Sequence, residues 1–260
     1  MDPASQTPTC ATPIVCRVLP HTASDGPANM ALDEALFDLV AAAPNTAALR
    51  TYCWTVPTLS LGYFQHFADV ERDPRWHGVP LVRRFTGGGA ILHDQEITYA
   101  LCVPRSWPVA QSASGLYRAV HGAIACLLMQ QKTPAQRRGE GSGKKQHGRP
   151  FLCFTDVDCE DIVLHGAKIL GSAQRRRSVA VLQHGSLLLG RSTLAPELPG
   201  LSDLAAIDAT PETWSCLLTA AIPAALGCVV NDCAFGALEQ GRVLAREERV
   251  YRNPAWTHRR

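Results

Sequence analysis

The chain has 260 residues, a formal net charge of +2, 46% hydrophobic residues and 18% charged residues. This length and apolar content suffice for the core of one large domain. So small a net charge gives no indication of electrostatic binding to nucleic acid or to an anionic membrane. No apolar run approaches the ~20 residues of a membrane span, so neither partner is expected.

Ten cysteines are spread along the chain. A small secreted protein would use them in disulfides, but no hydrophobic signal segment opens the sequence and the chain is large. There is no CxxC pair, which argues against a zinc ribbon and leaves no metal site to predict. We therefore expect a cytoplasmic protein whose cysteines are mostly small buried hydrophobes, with one or two at most carrying chemistry.

The N-terminal part of the sequence predicts one amphipathic helix. Residues 1–13 are rich in Pro, Thr and Ser and are predicted to be a disordered tail, and residues 14–19 are predicted to form an edge strand. In the following ANMALDEALFDLVAA, apolar residues recur at helical spacing, while Asp33 and Glu34 fall off the apolar stripe. The stripe consists of Leu32, Leu36, Leu39 and Val40.

The middle of the chain predicts strands and a second helix. Residues 51–62 predict two strands around a Pro-marked turn, residues 80–85 a strand that runs into glycines, and residues 97–103 a half-buried strand. Residues 132–149 are basic and lack apolar periodicity, which predicts a flexible loop. An electrostatic docking site for an acidic protein partner is the less favoured alternative. The second helix covers residues 112–130, with an apolar face of Leu116, Val120, Ile124, Leu127 and Leu128.

Beyond the basic loop, the sequence predicts further strands and two more helices. Residues 161–172 predict a hairpin around a His-Gly turn, and residues 179–189 another strand. Thr210-Pro211 is a typical helix start with a capping side chain, and a charged helix is predicted over residues 238–251. Strands interrupted by a few helices, without regular βαβ alternation, predict a mixed α+β fold.

Three consecutive glycines, Gly87 to Gly89, lie between Arg83-Arg84 and His93-Asp94. Neither GxxxxGK[ST] nor GxGxxG is present, which excludes those nucleotide loops. A tight turn is the simplest explanation. Because glycine lacks a Cβ, however, such a loop also lets the backbone lie flush against an apolar ligand while its N–H groups face a polar head. The flanking arginines and histidine favour a ligand loop.

A second informative stretch contains Cys153 and Lys168, fifteen residues apart. Lys168 lies in a predicted strand between apolar neighbours, where a lysine is costly unless it has a partner or a task. A side chain that extends to the surface is the alternative explanation. Both residues flank the predicted hairpin, which permits contact between them.

At this point the sequence resembles the biotin/lipoate ligase and octanoyltransferase superfamily. The resemblance rests on NMALDEAL, RRFTGGGAILHD, GAKILGSAQRR and LQHGSLLL, which occur in the family's order within residues 28–192, and on the C-terminal YRNPAWTHRR. It implies an α+β fold in which a mixed β-sheet forms an acyl-binding tunnel flanked by helices. One such catalytic domain would cover residues 14–260.

The resemblance also implies the site residues. Cys153 and Lys168 would be catalytic, with Lys168 at the acyl carbonyl, and Arg84, Gly88 and Lys168 would line one cavity. His93 and His184 rank below the catalytic pair, and Cys159 is interpreted as a bystander. The implied substrate-binding residues are Arg84, Thr86, Gly87, Gly88, Gly89, Ala90, Ile91, Leu92, His93, Gly171, Ser172, Ala173, His184 and Gly185.

Two activities compete within the superfamily. One is octanoyl transfer from acyl carrier protein, through a cysteine thioester and without a cofactor, to a lysine of a lipoyl domain. That domain would belong to an oxo-acid dehydrogenase E2 subunit or be the glycine-cleavage H protein. The other is lipoate–protein ligation with ATP and Mg²⁺. The Cys153-Phe154 step resembles the cysteine-dependent transferases, which we prefer, whereas Gly89 is ligase-like because these transferases often carry Arg there.

A non-catalytic lipoyl-domain-binding protein is a third interpretation, which the presence of both Cys153 and Lys168 disfavours. Elementary chemistry explains the pair. A free thiol is mostly protonated at neutral pH, and a nearby ammonium favours the thiolate. A desolvated lysine is easier to deprotonate, so Lys168 is predicted to be the base that accepts the proton of the acceptor amine.

Overall fold

The computed structural model describes residues 14–139, 150–156 and 158–260. The strands are β1 (Val15–Val18), β2 (Thr22–Ser24), β3 (Thr46–Trp54), β4 (Thr58–Leu61), β5 (Leu81–Arg83), β6 (Ile91–His93), β7 (Glu96–Pro104), β8 (Gln136–Arg137), β9 (Ile162–Leu164), β10 (Ala167–Arg176), β11 (Ala180–Leu188) and β12 (Val229–Asp232). The helices are α1 (Gly26–Ala42), α2 (Ala68–Glu71), α3 (Pro108–Gln111), α4 (Ala113–Gln130), α5 (Leu201–Leu204), α6 (Pro211–Ala225), α7 (Ala237–Arg246) and α8 (Pro254–Thr257), with 3₁₀ turns at Pro74–Trp76 and Cys153–Thr155 and a π-helical turn at Glu247–Tyr251.

Most strands belong to one mixed sheet in the order β12-β1-β3-β7-β11-β10-β9-β8, with β2 beside β3. The pairs β12–β1 and β1–β3 are parallel, and the pairs from β3 to β8 are antiparallel. A second sheet consists of β5, β4 and β6. The predicted mixed α+β fold is confirmed.

Two predictions about strands of the large sheet are wrong: the position of β1 at an edge and the partial exposure of β7. The strand predicted at residues 14–19 is not at the edge, because β12, far away in the sequence, pairs with its outer side. The strand predicted as half-buried is buried at every residue of β7. Tyr99 and Leu101 pack with α4 and α6 on one face, whereas Ala100 and Cys102 pack with α1 on the other.

Helix α1 forms as predicted. Asp25 caps it by accepting a hydrogen bond from the Ala28 backbone N–H at 3.0 Å. Its buried face differs from the prediction, however, because Asp33 is fully buried. A guanidinium on β3 makes that burial tolerable, since Arg50 Nη1 lies 2.9 Å from Asp33 Oδ1.

The later elements agree with the sequence in most respects. Ser112 caps α4, whose predicted apolar face is buried, and the β9–β10 turn places His165 and Gly166 at φ angles of 50° and 84°, as a tight hairpin requires. The Thr210 hydroxyl, predicted as a helix cap, instead donates to Thr213 Oγ1 at 2.9 Å, three residues along the chain.

The two segments predicted to be unstructured lie largely outside the described residues. This holds for residues 1–13 and for residues 140–149 of the basic loop. The beginning of that loop belongs to the sheet, since Gln136 and Arg137 pair with β9. In the part of the chain that the structure describes, no helix is long and apolar enough to cross a membrane.

Candidate active site

Cys153 and Lys168 are in contact. The Lys168 Nζ lies 3.5 Å from Cys153 Sγ and donates to the Cys153 carbonyl at 3.0 Å. It also donates to the Asp156 carbonyl at 3.0 Å and lies 2.8 Å from Asp161 Oδ2. Lys168 is buried, whereas Cys153 is partly exposed. The ammonium therefore lies beside a sulfur that a substrate can reach.

The surroundings keep Lys168 protonated. Burial opposes its charged form, but the neighbouring Cys153 and the carboxylate of Asp161 outweigh burial and raise the pKa of Lys168 above its usual value. The prediction that desolvation makes this lysine easy to deprotonate is therefore wrong for this arrangement. The prediction did not include the carboxylate of Asp161, because its contact with Lys168 forms only in the folded hairpin.

The glycine loop holds the segment that carries Cys153. Ala90 donates its N–H to the Phe151 carbonyl at 2.8 Å and accepts from the Cys153 N–H at 2.8 Å. Ala90 and Leu152 form a parallel β-bridge. A Cβ on Gly89 would lie 3.1 Å from both the Cys153 nitrogen and the Phe151 oxygen. A larger residue than glycine at position 89 would therefore press on the backbone beneath the thiol.

Arg84 organises the glycine loop from inside. Its Nη2 donates to the carbonyls of Gly87 at 2.8 Å and Gly89 at 2.6 Å, and its Nη1 donates to the Ser60 carbonyl at 2.9 Å. Gly88 between them has a φ of +97°, which a side chain would disfavour. Burial lowers the pKa of Arg84 to about 10, with Cys153 acting in the opposite direction. The loop thus turns the carbonyls of Gly87 and Gly89 toward a buried cation.

His93 belongs to a buried row of hydrogen-bonded side chains. Its Nε2 hydrogen-bonds with Ser60 Oγ at 2.8 Å, and its Nδ1 with Glu96 Oε1 at 2.9 Å. Its ring stacks on Trp54, with 3.9 Å between ring centroids. Burial lowers the pKa of His93 although Glu96 raises it. These contacts position the imidazole firmly, as expected for a structural histidine.

His184 is held by helix α1 and the glycine loop. Its Nδ1 lies 2.9 Å from Asp33 Oδ2, and its Nε2 hydrogen-bonds with Thr86 Oγ1 at 2.7 Å. The Tyr52 hydroxyl also donates to Asp33 at 2.9 Å. Asp33 therefore connects α1 to the loop. Sequence reasoning missed it, because Asp33 falls off the predicted apolar stripe and its burial depends on Arg50 of β3.

A small cavity of about 20 Å³ lies beside these groups. Of Arg84, Gly88 and Lys168, which were expected to share a cavity, only Arg84 lines it. A volume of this size holds about one water molecule, so an octanoyl chain requires the walls to move. The cavity is lined by Met30, Tyr52, Arg84, Ile91, His93, Thr98, Ala173, His184, Gly185 and Ser186.

Other predicted site residues lie around the cavity or behind it. Ala90 and Leu92 pack in the core of the small sheet. Gly171 touches the stem of Lys168, since a Cβ there would lie 2.5 Å from Lys168 Cε. Ser172 Oγ hydrogen-bonds with His121 Nε2 at 2.6 Å, away from the cavity. Cys159 Sγ donates to Asp158 at 3.1 Å.

Comparison with known proteins places this site in a family context. The family model of the lipoyl protein ligase A/B catalytic domain matches residues 25–196. The chain is 37% identical to octanoyltransferase LipM of Macrococcus caseolyticus over 167 residues, covering 62% of this chain and 60% of that protein. It is 38% identical to octanoyltransferase LipM of Geobacillus kaustophilus over 169 residues, with the same coverage. The chain thus spans about three fifths of the length of these curated relatives.

The fold is also similar to that of a solved structure. A putative lipoate protein ligase, Ta0514 from T. acidophilum, superposes with a TM-score of 0.76 at 20% identity, covering 94% of this chain and 99% of that one. At this level of identity the similarity concerns the fold.

Proposed function

Because the chain belongs to the lipoyl protein ligase A/B catalytic-domain family, we propose that it is an octanoyltransferase that works through a thioester on Cys153. The donor is octanoyl-acyl carrier protein. The acceptor is a lysine of a lipoyl domain, on an oxo-acid dehydrogenase E2 subunit or the glycine-cleavage H protein. The single observation that carries this proposal is the 3.5 Å contact between Cys153 Sγ and Lys168 Nζ. The similarity to proteins named octanoyltransferase supports it.

In the first half-reaction the Cys153 thiolate attacks the carbonyl carbon of the donor thioester. A carbon–sulfur bond to Cys153 forms, and the bond to the sulfur of the carrier breaks. The Lys168 ammonium stabilises the thiolate before attack. It then gives a proton to the departing thiolate of the carrier, which leaves as a thiol. Protons balance, and no ATP is needed because the donor is already activated.

Acylation prepares Lys168 for the second half-reaction. The charge on Cys153 is one of the influences that raise the pKa of Lys168, and a thioester sulfur carries no such charge. Loss of that charge lowers the pKa of Lys168 in the acyl-enzyme and favours the neutral amine. The base role predicted from the sequence is thus proposed for the acylated enzyme only.

In the second half-reaction the neutral ε-amine of the acceptor lysine attacks the enzyme thioester. A carbon–nitrogen bond forms, the bond to Cys153 breaks, and the surplus amine proton passes to Lys168. Cys153 leaves as the thiolate beside the Lys168 ammonium, whose Nζ lies 2.8 Å from Asp161 Oδ2. The geometry therefore serves both halves of the reaction with one lysine.

The ligase alternative was based on Gly89, and the packing at this residue gives a second explanation for the glycine. Glycine there permits the close approach of the Cys153 backbone, so no nucleotide is needed to explain it. The proposed reaction uses no cofactor. The reducing cytoplasm, which the cysteine content favours, is the proposed compartment because a free thiol is required there.

Intact-mass measurement tests the proposal. The protein is mixed with octanoyl-acyl carrier protein without ATP, and we expect the mass of one octanoyl group to be added and hydroxylamine to remove it. Addition of a lipoyl domain should then move the group to that domain. Modification of the lipoyl domain that requires both ATP and free lipoate, with no acyl-enzyme, would establish the ligase in its place.

A further inference from the structure

A groove much larger than the active-site cavity lies between α1, the end of β10 and the C-terminal helices. Its volume is about 880 Å³, and it is open to solvent. Arginines dominate its charged lining, and Tyr63 and Phe85 form part of its apolar floor. We call it the arginine groove, defined by Arg175, Arg177, Arg242, Arg249, Tyr63 and Phe85.

The acidic residues that line the groove are all engaged in ion pairs. Arg17 Nη1 lies 3.1 Å from Glu239, and Arg246 lies 2.8 Å from Glu34 and 2.9 Å from Asp38. These ion pairs use two arginines for three carboxylates. They leave the charge of the other lining arginines available to a partner.

Four lining arginines make no ion pair with a carboxylate of the described residues: Arg175, Arg177, Arg242 and Arg249. Arg177, Arg242 and Arg249 are exposed. Arg175 is half-buried over the ring of Tyr63, at 5.4 Å from its centroid, and its buried Nε has no hydrogen-bond partner. The groove therefore presents an excess of positive charge above an aromatic floor.

The groove ends at the wall of the active-site cavity. Arg175 lines the groove and Ala173 lines the cavity. They lie two residues apart on the same face of β10, which is about 7 Å along a strand. Likewise, Phe85 lines the groove, whereas the preceding Arg84 lines the cavity. The ring centroid of Phe85 lies 6.4 Å from that of His184, another cavity residue, and 6.5 Å from that of Phe37. The groove and the cavity are therefore neighbours at β10 and at the Arg84-Phe85 step.

We propose that the arginine groove is the docking surface of the acyl donor, a carrier protein with an acidic face. The inference rests on the proposed octanoyl transfer. Charge complementarity favours an acidic partner, since unpaired arginines attract it over a distance and raise its rate of association. The position favours the donor over the acceptor, because the groove adjoins the cavity that must receive the acyl chain.

Charge reversal of two exposed arginines tests this docking surface. The variant Arg177→Glu/Arg249→Glu leaves Cys153 and Lys168 untouched. Binding of octanoyl-acyl carrier protein should weaken, and kcat/KM for acylation by it should fall by about 10–100-fold at low salt. Higher salt should reduce the difference because it screens the charges. Acylation by the octanoyl thioester of N-acetylcysteamine, which has no carrier protein, should be unchanged.

The matched control is Arg72→Glu/Arg191→Glu, which changes the net charge equally but lies outside the groove lining. It should bind the carrier like the native protein. Equal carrier binding by native protein and groove variant would overturn the docking surface, as would equal loss of both acylation reactions. Weakened binding of a lipoyl domain instead of the carrier would assign the groove to the acceptor and also overturn it. Weakened carrier binding in a protein that no thioester acylates would support docking while rejecting the proposed function.

Discussion

The Asp161 carboxylate lies 2.8 Å from the Lys168 ammonium, with 7% and 4% of the two side chains exposed. A pair this deeply buried is sensitive to loss of one partner, because the other remains as an uncompensated charge. The ion pair therefore links the stability of the β9–β10 hairpin to the charge state of the proposed active site.

Asp161→Asn should lower the free energy of unfolding by about 3–5 kcal/mol at pH 7, since it leaves the ammonium buried without its carboxylate. Urea unfolding measures this. Asp69→Asn removes a surface ion pair with Arg72, of which 77% is exposed, and should cost at most about 1 kcal/mol. Equal, small effects of the two substitutions would contradict the importance assigned to the buried pair.

The same pair predicts an alkaline loss of stability. The folded protein raises the pKa of Lys168, so the stabilisation is fully present below the pKa of an unfolded lysine, about 10.4. It is lost as the pH rises through the higher folded value. Thermal unfolding between pH 8 and pH 11, about the range that brackets this pKa, should show a smaller alkaline decline in Asp161→Asn than in the native protein. Identical declines would show that Asp161 does not contribute to the raised pKa of Lys168.

Cys153→Ala should abolish the octanoyl adduct and the transfer to a lipoyl domain, because Cys153 is the thiol that contacts Lys168. Cys159→Ala is the matched control, since its sulfur faces Asp158 instead, and it should keep both reactions. Intact mass and gel-shift of the lipoyl domain measure the two steps. An adduct that persists in Cys153→Ala and disappears in Cys159→Ala would reassign the nucleophile.

Lys168→Arg separates the two proposed roles of the lysine. Arginine keeps a positive charge near the thiol but does not give up a proton at accessible pH. Acylation should therefore continue at a reduced rate, whereas transfer to the acceptor should fall by ~10²–10⁴-fold, the usual cost of losing a general base. Single-turnover measurements on each half-reaction decide this. Transfer to the acceptor that keeps pace with acylation, with little loss in either half, would favour a purely electrostatic role.

Gly89→Ala should slow acylation and destabilise the protein by about 1–3 kcal/mol, the usual cost of overpacking. Its Cβ would lie 3.1 Å from the backbone nitrogen of Cys153. Gly87→Ala is the control, because a Cβ there meets only the Phe64 ring at 3.9 Å. Acylation rates and urea unfolding of both variants provide the test. Normal acylation by Gly89→Ala would show that this contact does not position the thiol.

Much of the fold follows from local pattern. The faces of α4 and the β9–β10 hairpin are set by apolar spacing and by turn residues, which act over a few positions and are visible in one sequence. The motifs around Gly87–Gly89 and Lys168 likewise led to the family before any contact was known. Local pattern did not predict that β12 pairs with β1, because this pairing joins segments more than 200 residues apart in the sequence.

The site divides in the same way. The sequence by itself indicated which thiol and which lysine to consider, because the motifs around them resemble those of a known family. Only the tertiary structure decided the charge state of Lys168, since burial and the carboxylate of Asp161 act in opposite directions and their balance depends on distances in the folded hairpin. It also decided the meaning of Gly89, whose missing side chain is needed because another backbone segment lies against it. Coulomb energy and steric contact depend on separation in space, which a single sequence does not record.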